Sequence, residues 1–146
     1  MSNSICRWGI LSTANIARKN WLAIRNTGNA IITAVASRSV PKSQQFIDDC
    51  QAYSPFATVP SAVGSYDELL KRDDVDAVYI PLPTGIRKEW VIRAAEAGKH
   101  VLCEKPVGVV AADVSEMLAA CRKNKVQFMD GVMFMHSQRL NKLREA

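Results

Sequence analysis

Residues Arg7–Arg18 read RWGILSTANIAR and contain two successive patterns. The apolar run Trp8–Leu11 stops at two small polar residues, Ser12 and Thr13. From Asn15 onward, apolar residues recur at the spacing of one helix face: Ile16, Ala17, Trp21, Leu22 and Ile24. The change of period predicts a strand, a tight turn and a helix.

This turn is a candidate phosphate site. The first N–H groups of a helix lack partners within the helix and lie at its positive end, which attracts anions. In dinucleotide-binding folds, three glycines with GxGxxG spacing occupy such a turn. Small residues (Ser12, Ala14 and Ala17) hold those positions here, so the backbone can approach a pyrophosphate less freely. Since every parallel sheet contains turns of this kind, the turn alone does not identify a nucleotide site.

Length and composition predict a globular domain. The chain has 146 residues, 48% of them apolar, which is enough for a core and argues against disorder. No apolar run reaches the ~20 residues that cross a bilayer, and the N-terminus does not resemble a signal peptide. We therefore expect a soluble, cytoplasmic protein that does not bind membranes. The four cysteines lack CxxC spacing, so we expect neither a disulfide framework nor a metal site.

The net charge of +5 raises the possibility of a nucleic-acid partner. However, the cations are scattered among Asp and Glu, and no long basic run or aromatic-flanked RNA motif is present. A solvated surface together with an anionic ligand explains the charge more simply. We expect no nucleic-acid binding.

Strand and helix patterns alternate along the chain at intervals of roughly 20–30 residues, which is typical of β-α-β crossovers. After the first strand, the predicted strands are Ala30–Ser37, a possible short strand at Ala57–Val59, Asp76–Ile80, His100–Glu104 and Val126–Val132. Predicted helices begin after Asn15, Ser39 and the capping box at Ser65, and cover Arg87–Ala97 (capped by Thr84), Asp113–Lys123 and Gln138–Glu145. The fold class is therefore α/β, a doubly wound parallel sheet.

Ligands of such sheets bind beyond the carboxyl ends of the strands, so the residues that follow the strands form one candidate site. They are Ser12–Asn15, Ser37-Arg38, Pro81–Thr84, Glu104–Pro106 and the segment after Met133.

Ser37-Arg38 follows the second strand, where an acidic residue binds the adenosine ribose of NAD. A guanidinium here can instead bind a 2′-phosphate through two hydrogen bonds, and Lys42 lies one turn into the next helix. The pattern therefore favours NADP by about tenfold or more over NAD. A surface arginine after a strand is the alternative.

Two further segments carry candidate site residues. Pro81-Leu82-Pro83 lacks two amide donors and has two fixed φ angles, so it forms a rigid wall beside the nicotinamide end or simply ends a strand. Glu104-Lys105-Pro106 directly follows the apolar run HVLC. A partly buried Lys105 ammonium with a lowered pKa could polarise a carbonyl or hold an alkoxide, with Glu104 orienting it. A structural ion pair is the alternative.

These residues resemble a known family. The run Tyr79–Pro106, YIPLPTGIRKEWVIRAAEAGKHVLCEKP, is similar to the Gfo/Idh/MocA family of NAD(P)-dependent oxidoreductases. RWGILSTANIARK, AVASRS and GSYDELL resemble the branch of dimeric dihydrodiol dehydrogenase and NADP-dependent D-xylose dehydrogenase. The resemblance extends from about Arg7 to Arg139, nearly the whole chain.

The resemblance implies a Rossmann NAD(P)-binding fold with Lys105 as the catalytic lysine and Glu104 and Pro106 completing its motif. It implies that Ser12, Thr13, Ala14, Asn15 and Ile16 hold the pyrophosphate of NADP, and that Ser37 and Arg38 hold the adenosine ribose. Reactions of the family are reversible oxidations of sugar hydroxyls or diols, so the expected partner is a small sugar or diol substrate.

Two departures from the family stand out. Many relatives have histidine where this chain has Arg87, in the pattern PxPxxxH. Relatives also continue into a C-terminal α/β domain with an open antiparallel sheet, which carries substrate residues and the usual oligomer face. We expect that domain to be absent, with residues 1–131 forming the dinucleotide-binding domain and residues 132–146 beginning the connection. Exposed apolar surface around Val132–Met135 and a possible homo-oligomer would follow.

His136 lies after the sixth predicted strand and is a candidate substrate contact, although a lone histidine also serves structural roles. The leading hypothesis is the nucleotide-binding part of an NADP-dependent sugar or diol dehydrogenase, whose activity as this chain alone is doubtful. The alternative is a truncated, non-catalytic module that binds NADP(H) or a partner.

Overall fold

The computed structural model describes residues 5–137 and 139–145. Its strands are β1 Cys6–Leu11, β2 Ala30–Ala36, β3 Ser61–Val63, β4 Ala77–Ile80, β5 His100–Cys103 and β6 Phe128–Asp130. Its α-helices are α1 Ile16–Asn26, α2 Val40–Tyr53, α3 Tyr66–Leu70, α4 Thr84–Glu96, α5 Ala111–Lys123 and α6 Arg139–Glu145, and a 3-10 helix covers Met133–His136. Among these described helices, none is long and apolar enough to cross a membrane.

The six strands form one parallel sheet in the order β3-β2-β1-β4-β5-β6. The chain builds outward from β1 on one side as far as β3 and then returns to β4 on the other side of β1. The strand order thus reverses next to β1, which is where doubly wound sheets open a crevice for ligands. The predicted doubly wound α/β fold is confirmed.

Apolar side chains cover both faces of the sheet, as the continuous apolar strands predict. On one face, α1 and α2 pack over Ile10 and Val35, with Trp21 making edge-to-face contacts to Phe46 and Phe56. On the other face, the described core residues come from α3, α4 and α5 and from the opposite sides of the same strands, among them Leu69, Val91, Met117, Leu11 and Val78. The two cores fix the strand ends rigidly, which gives the site its geometry.

Two predicted elements occupy different residues. The third strand is Ser61–Val63 and not Ala57–Val59, because Ser61 begins the parallel pairing with Ala34 of β2 while Val59 is exposed. Helix α4 begins at Thr84 with Pro83 as its N-cap, so the prediction that Thr84 caps a helix starting at Arg87 was wrong. The fixed φ of Pro83 starts the helix one turn earlier.

Bounds also differ at the C-terminal end. Helix α5 begins at Ala111, two residues before the predicted Asp113. Strand β6 ends at Asp130, because the next residues turn and the Val132 N–H donates to the Asp130 carboxylate. The predicted start of the last helix, Gln138, lies outside the described residues.

The apolar surface expected after β6 is present where the structure describes it. Met133 and Phe134 are exposed, the latter to 62%. The predicted Ser65 cap is confirmed as well, since the Ser65 hydroxyl accepts the Glu68 N–H. Helices α1 and α4 are followed by Gly28 and Gly98, which both have φ above +70°.

Candidate functional site

Two cavities lie at the carboxyl edge of the sheet. The first, which we call the Ser12–Arg38 cavity, has a volume of about 530 Å³ and is lined by Ser12, Ala14, Arg38, Tyr66, Pro81, Leu82, Pro83, Ile86 and Arg87. The second, the Glu104–His136 cavity, has about 120 Å³ and is lined by residues of α1, β4–β6 and the segment after β6. The strand-end residues grouped from sequence are therefore divided between two cavities: Ser12, Arg38 and Pro81–Pro83 line the first, and Glu104 and His136 line the second. Ser37, Lys105 and Pro106 line neither of them.

The turn between β1 and α1 separates the two cavities, since Ser12 and Ala14 line one and Ile16 lines the other. The Ser12 N–H bonds to the Ala36 carbonyl, and its hydroxyl accepts the Ala14 N–H. Ser12 has a φ of 128°, a conformation that favours glycine, in the position of the first fingerprint glycine. Serine thus replaces glycine without loss of the tight turn.

The same turn presents backbone donors. Within the described part of the chain, no hydrogen bond uses the N–H groups of Thr13, Asn15 or Ile16. Asn15 takes a helical conformation, and its side chain does not cap α1. These donors at the positive end of an 11-residue helix suit an anion.

Ser37 does not present its hydroxyl to a ligand. It is buried, donates to the Ser39 carbonyl, and accepts from the Ser39 N–H and the Ser43 hydroxyl. The Ser37 side chain therefore shapes the turn between β2 and α2, and the contact of Ser37 with a ribose stays a prediction. Arg38 is exposed and lines the cavity, and Lys42 is exposed in the first turn of α2.

Tyr66 is a cavity residue that sequence reasoning did not find. Its ring packs edge-to-face on Trp90 at 4.9 Å, and burial raises the pKa of its hydroxyl, with a smaller opposing effect of the positive charge of Arg38. Tyr66 directly follows the Ser65 cap, and this position is the one feature of the sequence that could have indicated a place in the cavity lining.

The Pro81-Leu82-Pro83 segment forms a wall, as predicted. It lines the Ser12–Arg38 cavity. Pro81 and Leu82 are buried, whereas Pro83 is exposed. The wall therefore faces the half of the crevice that contains Arg38, in addition to any contact at the nicotinamide end.

Glu104 is buried at the end of β5. Its Oε1 accepts a 2.7 Å hydrogen bond from the Tyr79 hydroxyl, and its Oε2 accepts the Lys105 backbone N–H at 3.1 Å. Burial raises the pKa of Tyr79, and the hydrogen bond to Glu104 raises it further. Gly131 allows this packing, since a Cβ there would lie 3.3 Å from Glu104.

One expectation about Lys105, its partial burial, and the alternative interpretation of it as an ion-pair residue both need correction. Its side chain is exposed and not partly buried. Among the described residues no ion pair joins it to Glu104, which instead holds the Lys105 backbone. The Tyr79 hydroxyl and the Lys105 backbone N–H hold the two oxygens of the Glu104 carboxylate.

Arg87 was noted from sequence only as a departure from a family pattern. It is 7% exposed, and its guanidinium donates to the carbonyls of Leu82, Glu104 and Pro106. A charged residue in the first turns of a buried helix was the sequence signal for such a role. His136 is exposed in the 3-10 helix and lines the same cavity as Glu104.

A parallel sheet in this strand order, with a strand-to-helix turn that presents backbone N–H groups at its point of reversal, is typical of a dinucleotide-binding fold. The family model described as "Oxidoreductase family, NAD-binding Rossmann fold" matches residues 6–132. The chain belongs to this Gfo/Idh/MocA family.

Curated relatives include two sugar enzymes and a diol dehydrogenase. A dTDP-3,4-didehydro-2,6-dideoxy-alpha-D-glucose 3-reductase from Saccharopolyspora spinosa is 34% identical over 95% of this chain and 40% of its own length. D-xylose 1-dehydrogenase (NADP(+)) 2 from Haloferax volcanii is 36% identical over 87% of this chain and 37% of its own. Mouse trans-1,2-dihydrobenzene-1,2-diol dehydrogenase is 35% identical over 95% of this chain and 40% of its own.

Among solved structures, a 3-ketoreductase from Actinomadura kijaniata in complex with TDP-benzene and NADP superposes with a TM-score of 0.86. It is 33% identical and matches 97% of this chain and 43% of its own. The chain thus spans about 40% of the length of the relatives that it matches.

Proposed function

We propose that this chain is the NADP-binding part of an oxidoreductase that transfers a hydride between nicotinamide and a hydroxyl or carbonyl group of a sugar or trans-diol. The observation that carries the proposal is the position of the β1–α1 turn between two cavities, one lined by the exposed Arg38 and the other by Glu104, the residue before Lys105. Among the described residues, the N–H groups of Thr13, Asn15 and Ile16 in this turn make no hydrogen bond. NADP is preferred to NAD.

The residues present fit this cofactor. The pyrophosphate binds the N–H groups of Thr13, Asn15 and Ile16, with Ser12 and Ala14 close to it. The 2′-phosphate binds Arg38, which faces no acidic residue among those that line the cavity, and Lys42 adds a second positive charge. The dehydrogenase from Haloferax volcanii is named for NADP, and the reductase from Actinomadura kijaniata was crystallised with it.

Lys105 is the proposed catalytic residue. Nicotinamide, when bound, supplies the carbon that gives or accepts the hydride. In the direction of reduction, the Lys105 ammonium donates its proton to the substrate oxygen and stabilises the negative charge that develops there as the hydride reaches the carbonyl carbon. In the direction of oxidation, the deprotonated Lys105 amine accepts the proton of the substrate hydroxyl as the hydride leaves the same carbon. Glu104 contributes by holding the backbone of Lys105, and His136 is a proposed substrate contact on the other side of Glu104.

Domain limits follow the same proposal. Residues 1–131 form the dinucleotide-binding domain, and residues 132–146 begin a connection to further structure. The exposed Met133 and Phe134 support a contact surface there, as does the greater length of the relatives. A homo-oligomer is compatible with that surface.

The relatives named above are reductases and dehydrogenases, which favours an enzyme over a non-catalytic module. The test has two steps. First, the chain is titrated with NADPH and with NADH by cofactor fluorescence, and we expect tighter binding of NADPH by about tenfold. Second, D-xylose, other sugars and trans-dihydrodiols are offered with NADP+, and formation of NADPH is measured. If the chain binds neither NADPH nor NADH, the proposal is contradicted.

A further inference from the structure

Arg87 connects two loops that carry candidate site residues. It lies in the first turns of α4, and its Nε donates to the carbonyl of Leu82 in the wall segment. Its Nη1 donates to the carbonyls of Glu104, at 2.8 Å, and Pro106. The two accepting carbonyls beyond β5 belong to the residues on either side of Lys105.

We infer that Arg87 is a positioning residue that fixes the Lys105 segment against the turn after β4, an inference that rests on the proposed function. Lys105 itself contributes no side-chain anchor: among the described residues, its ammonium makes no hydrogen bond or ion pair. Its Cα is therefore located by its neighbours, namely by Arg87 through both flanking carbonyls and by Glu104 through the intervening N–H.

The chemistry of arginine explains why this residue type is suited to the role. A guanidinium has five N–H donors in one plane at fixed angles, so it can bond three carbonyls from different loops at once. A lysine ammonium on a flexible stem has no such fixed geometry. A neutral histidine, the residue of the family pattern in this position, has one N–H donor and cannot span the three carbonyls.

Because Arg87 is buried, its hydrogen bonds to the three carbonyls are costly to lose. Arg87 is 7% exposed, so water does not readily replace its hydrogen bonds, and a shorter side chain would leave buried carbonyls unpaired. Loss of the guanidinium should therefore release the Lys105 segment. The β1–α1 turn and Arg38 are held by separate hydrogen bonds and by β2, so they should keep their positions.

The test uses the whole chain and two readouts. Affinity for 2′,5′-ADP, which is the phosphorylated adenosine half of NADP, reports the Ser12–Arg38 cavity and does not depend on the Lys105 side chain, which does not line that cavity. Protection of Lys105 from acetic anhydride by saturating NADP+, measured by mass spectrometry, reports the place of the ammonium relative to the nicotinamide half. The variants are Arg87→Lys and Arg87→His, and the matched control is Arg93→Lys, on the same helix but paired with Asp67 and Glu89.

In the wild type and in Arg93→Lys, NADP+ should slow acetylation of Lys105 by about tenfold or more. In both Arg87 variants this protection should fall to about threefold or less, while affinity for 2′,5′-ADP, whose cavity Arg87 also lines, should fall by a smaller factor than the protection does. Full protection of Lys105 in either folded variant overturns the inference. A loss of 2′,5′-ADP affinity as large as the loss of protection also overturns it. The same holds if circular dichroism shows that both variants are unfolded. Failure of the wild type to bind 2′,5′-ADP contradicts the proposed function instead.

Discussion

The hydroxyl of Tyr79 donates a 2.7 Å hydrogen bond to the carboxylate of Glu104, and the same carboxylate accepts the backbone N–H of Lys105. Tyr79 lies in a central strand and Glu104 follows the neighbouring one. This chain of contacts connects the apolar interior of the sheet to the proposed catalytic lysine. Because both side chains are buried, the backbone at Lys105 is set by the packed core and not by solvent-exposed loops.

Replacing Tyr79 with phenylalanine should cost about 1–3 kcal/mol of unfolding free energy, because a buried carboxylate oxygen loses its donor. Urea unfolding measures the loss. Tyr53→Phe is the control, since Tyr53 is 91% exposed and its replacement should leave stability within about 0.5 kcal/mol of wild type. Equal stability of the two variants would show that the Tyr79–Glu104 contact does not stabilise the fold.

Arg38→Asp should reverse the cofactor preference. A carboxylate repels the 2′-phosphate of NADP and can accept hydrogen bonds from the ribose hydroxyls of NAD, so we expect NADPH affinity to fall by about tenfold or more while NADH affinity is kept or improves. Fluorescence titration measures both constants. Arg122→Asp introduces the same charge change at an exposed position of α5 and should alter neither the NADPH affinity nor the NADH affinity. Unchanged affinities in Arg38→Asp would remove Arg38 from the site.

Much of this arrangement was predictable from the sequence. Strand ends are marked by abrupt changes from apolar to polar residues, as at Leu11-Ser12, so the sheet and its candidate edge followed from periodicity. The contacts within that edge did not. Ser37 lies where a ribose ligand was expected, yet its hydroxyl is used by Ser39 and Ser43, and only the path of the turn decides this.

Long-range polar contacts escaped prediction for a related reason. Arg87 lies 17 residues from Glu104, and Tyr79 lies 25 residues from it, so no local spacing relates them. A Glu104–Lys105 ion pair, the alternative interpretation of this segment, does not form among the described residues, because neighbouring residues at a strand end face different directions. Glu104 faces the core and Lys105 faces outward.

Lys105→Ala should leave NADPH affinity within about threefold of wild type, because its exposed side chain contributes little to cofactor binding compared with the phosphate contacts. When the wild-type chain oxidises a sugar or diol with NADP+, the Lys105→Ala variant should show a kcat lower by about a hundredfold or more. Steady-state assays of NADPH formation measure it, with Lys123→Ala on the exposed face of α5 as control. Retained kcat in Lys105→Ala would contradict the catalytic role.

Stability at acid pH should depend on Asp76. The Arg7 side chain bonds its carboxylate with an Nε–Oδ2 distance of 2.9 Å, and this lowers the pKa of Asp76 below its ordinary value. The folded state therefore holds this proton less tightly than the unfolded chain. Its contribution is present above about pH 4, the unfolded pKa, and is lost as pH falls through the folded pKa.

Asp76→Asn should accordingly make the loss of stability below about pH 4 less steep. Urea midpoints measured from neutral pH to pH 2 give the slope. Asp48→Asn, which replaces a carboxylate that accepts a bond from Gln44, is the comparison. An unchanged slope for Asp76→Asn would show that the contact with Arg7 does not affect the acid transition.

The most direct test of the central claim is a crystal structure of the chain with NADP+. The account predicts the pyrophosphate on the N–H groups of Thr13, Asn15 and Ile16, the 2′-phosphate on Arg38, and the nicotinamide beside the Lys105 ammonium. A cofactor bound away from the Ser12–Arg38 cavity, or a nicotinamide on the far side of the sheet from Lys105, would contradict it.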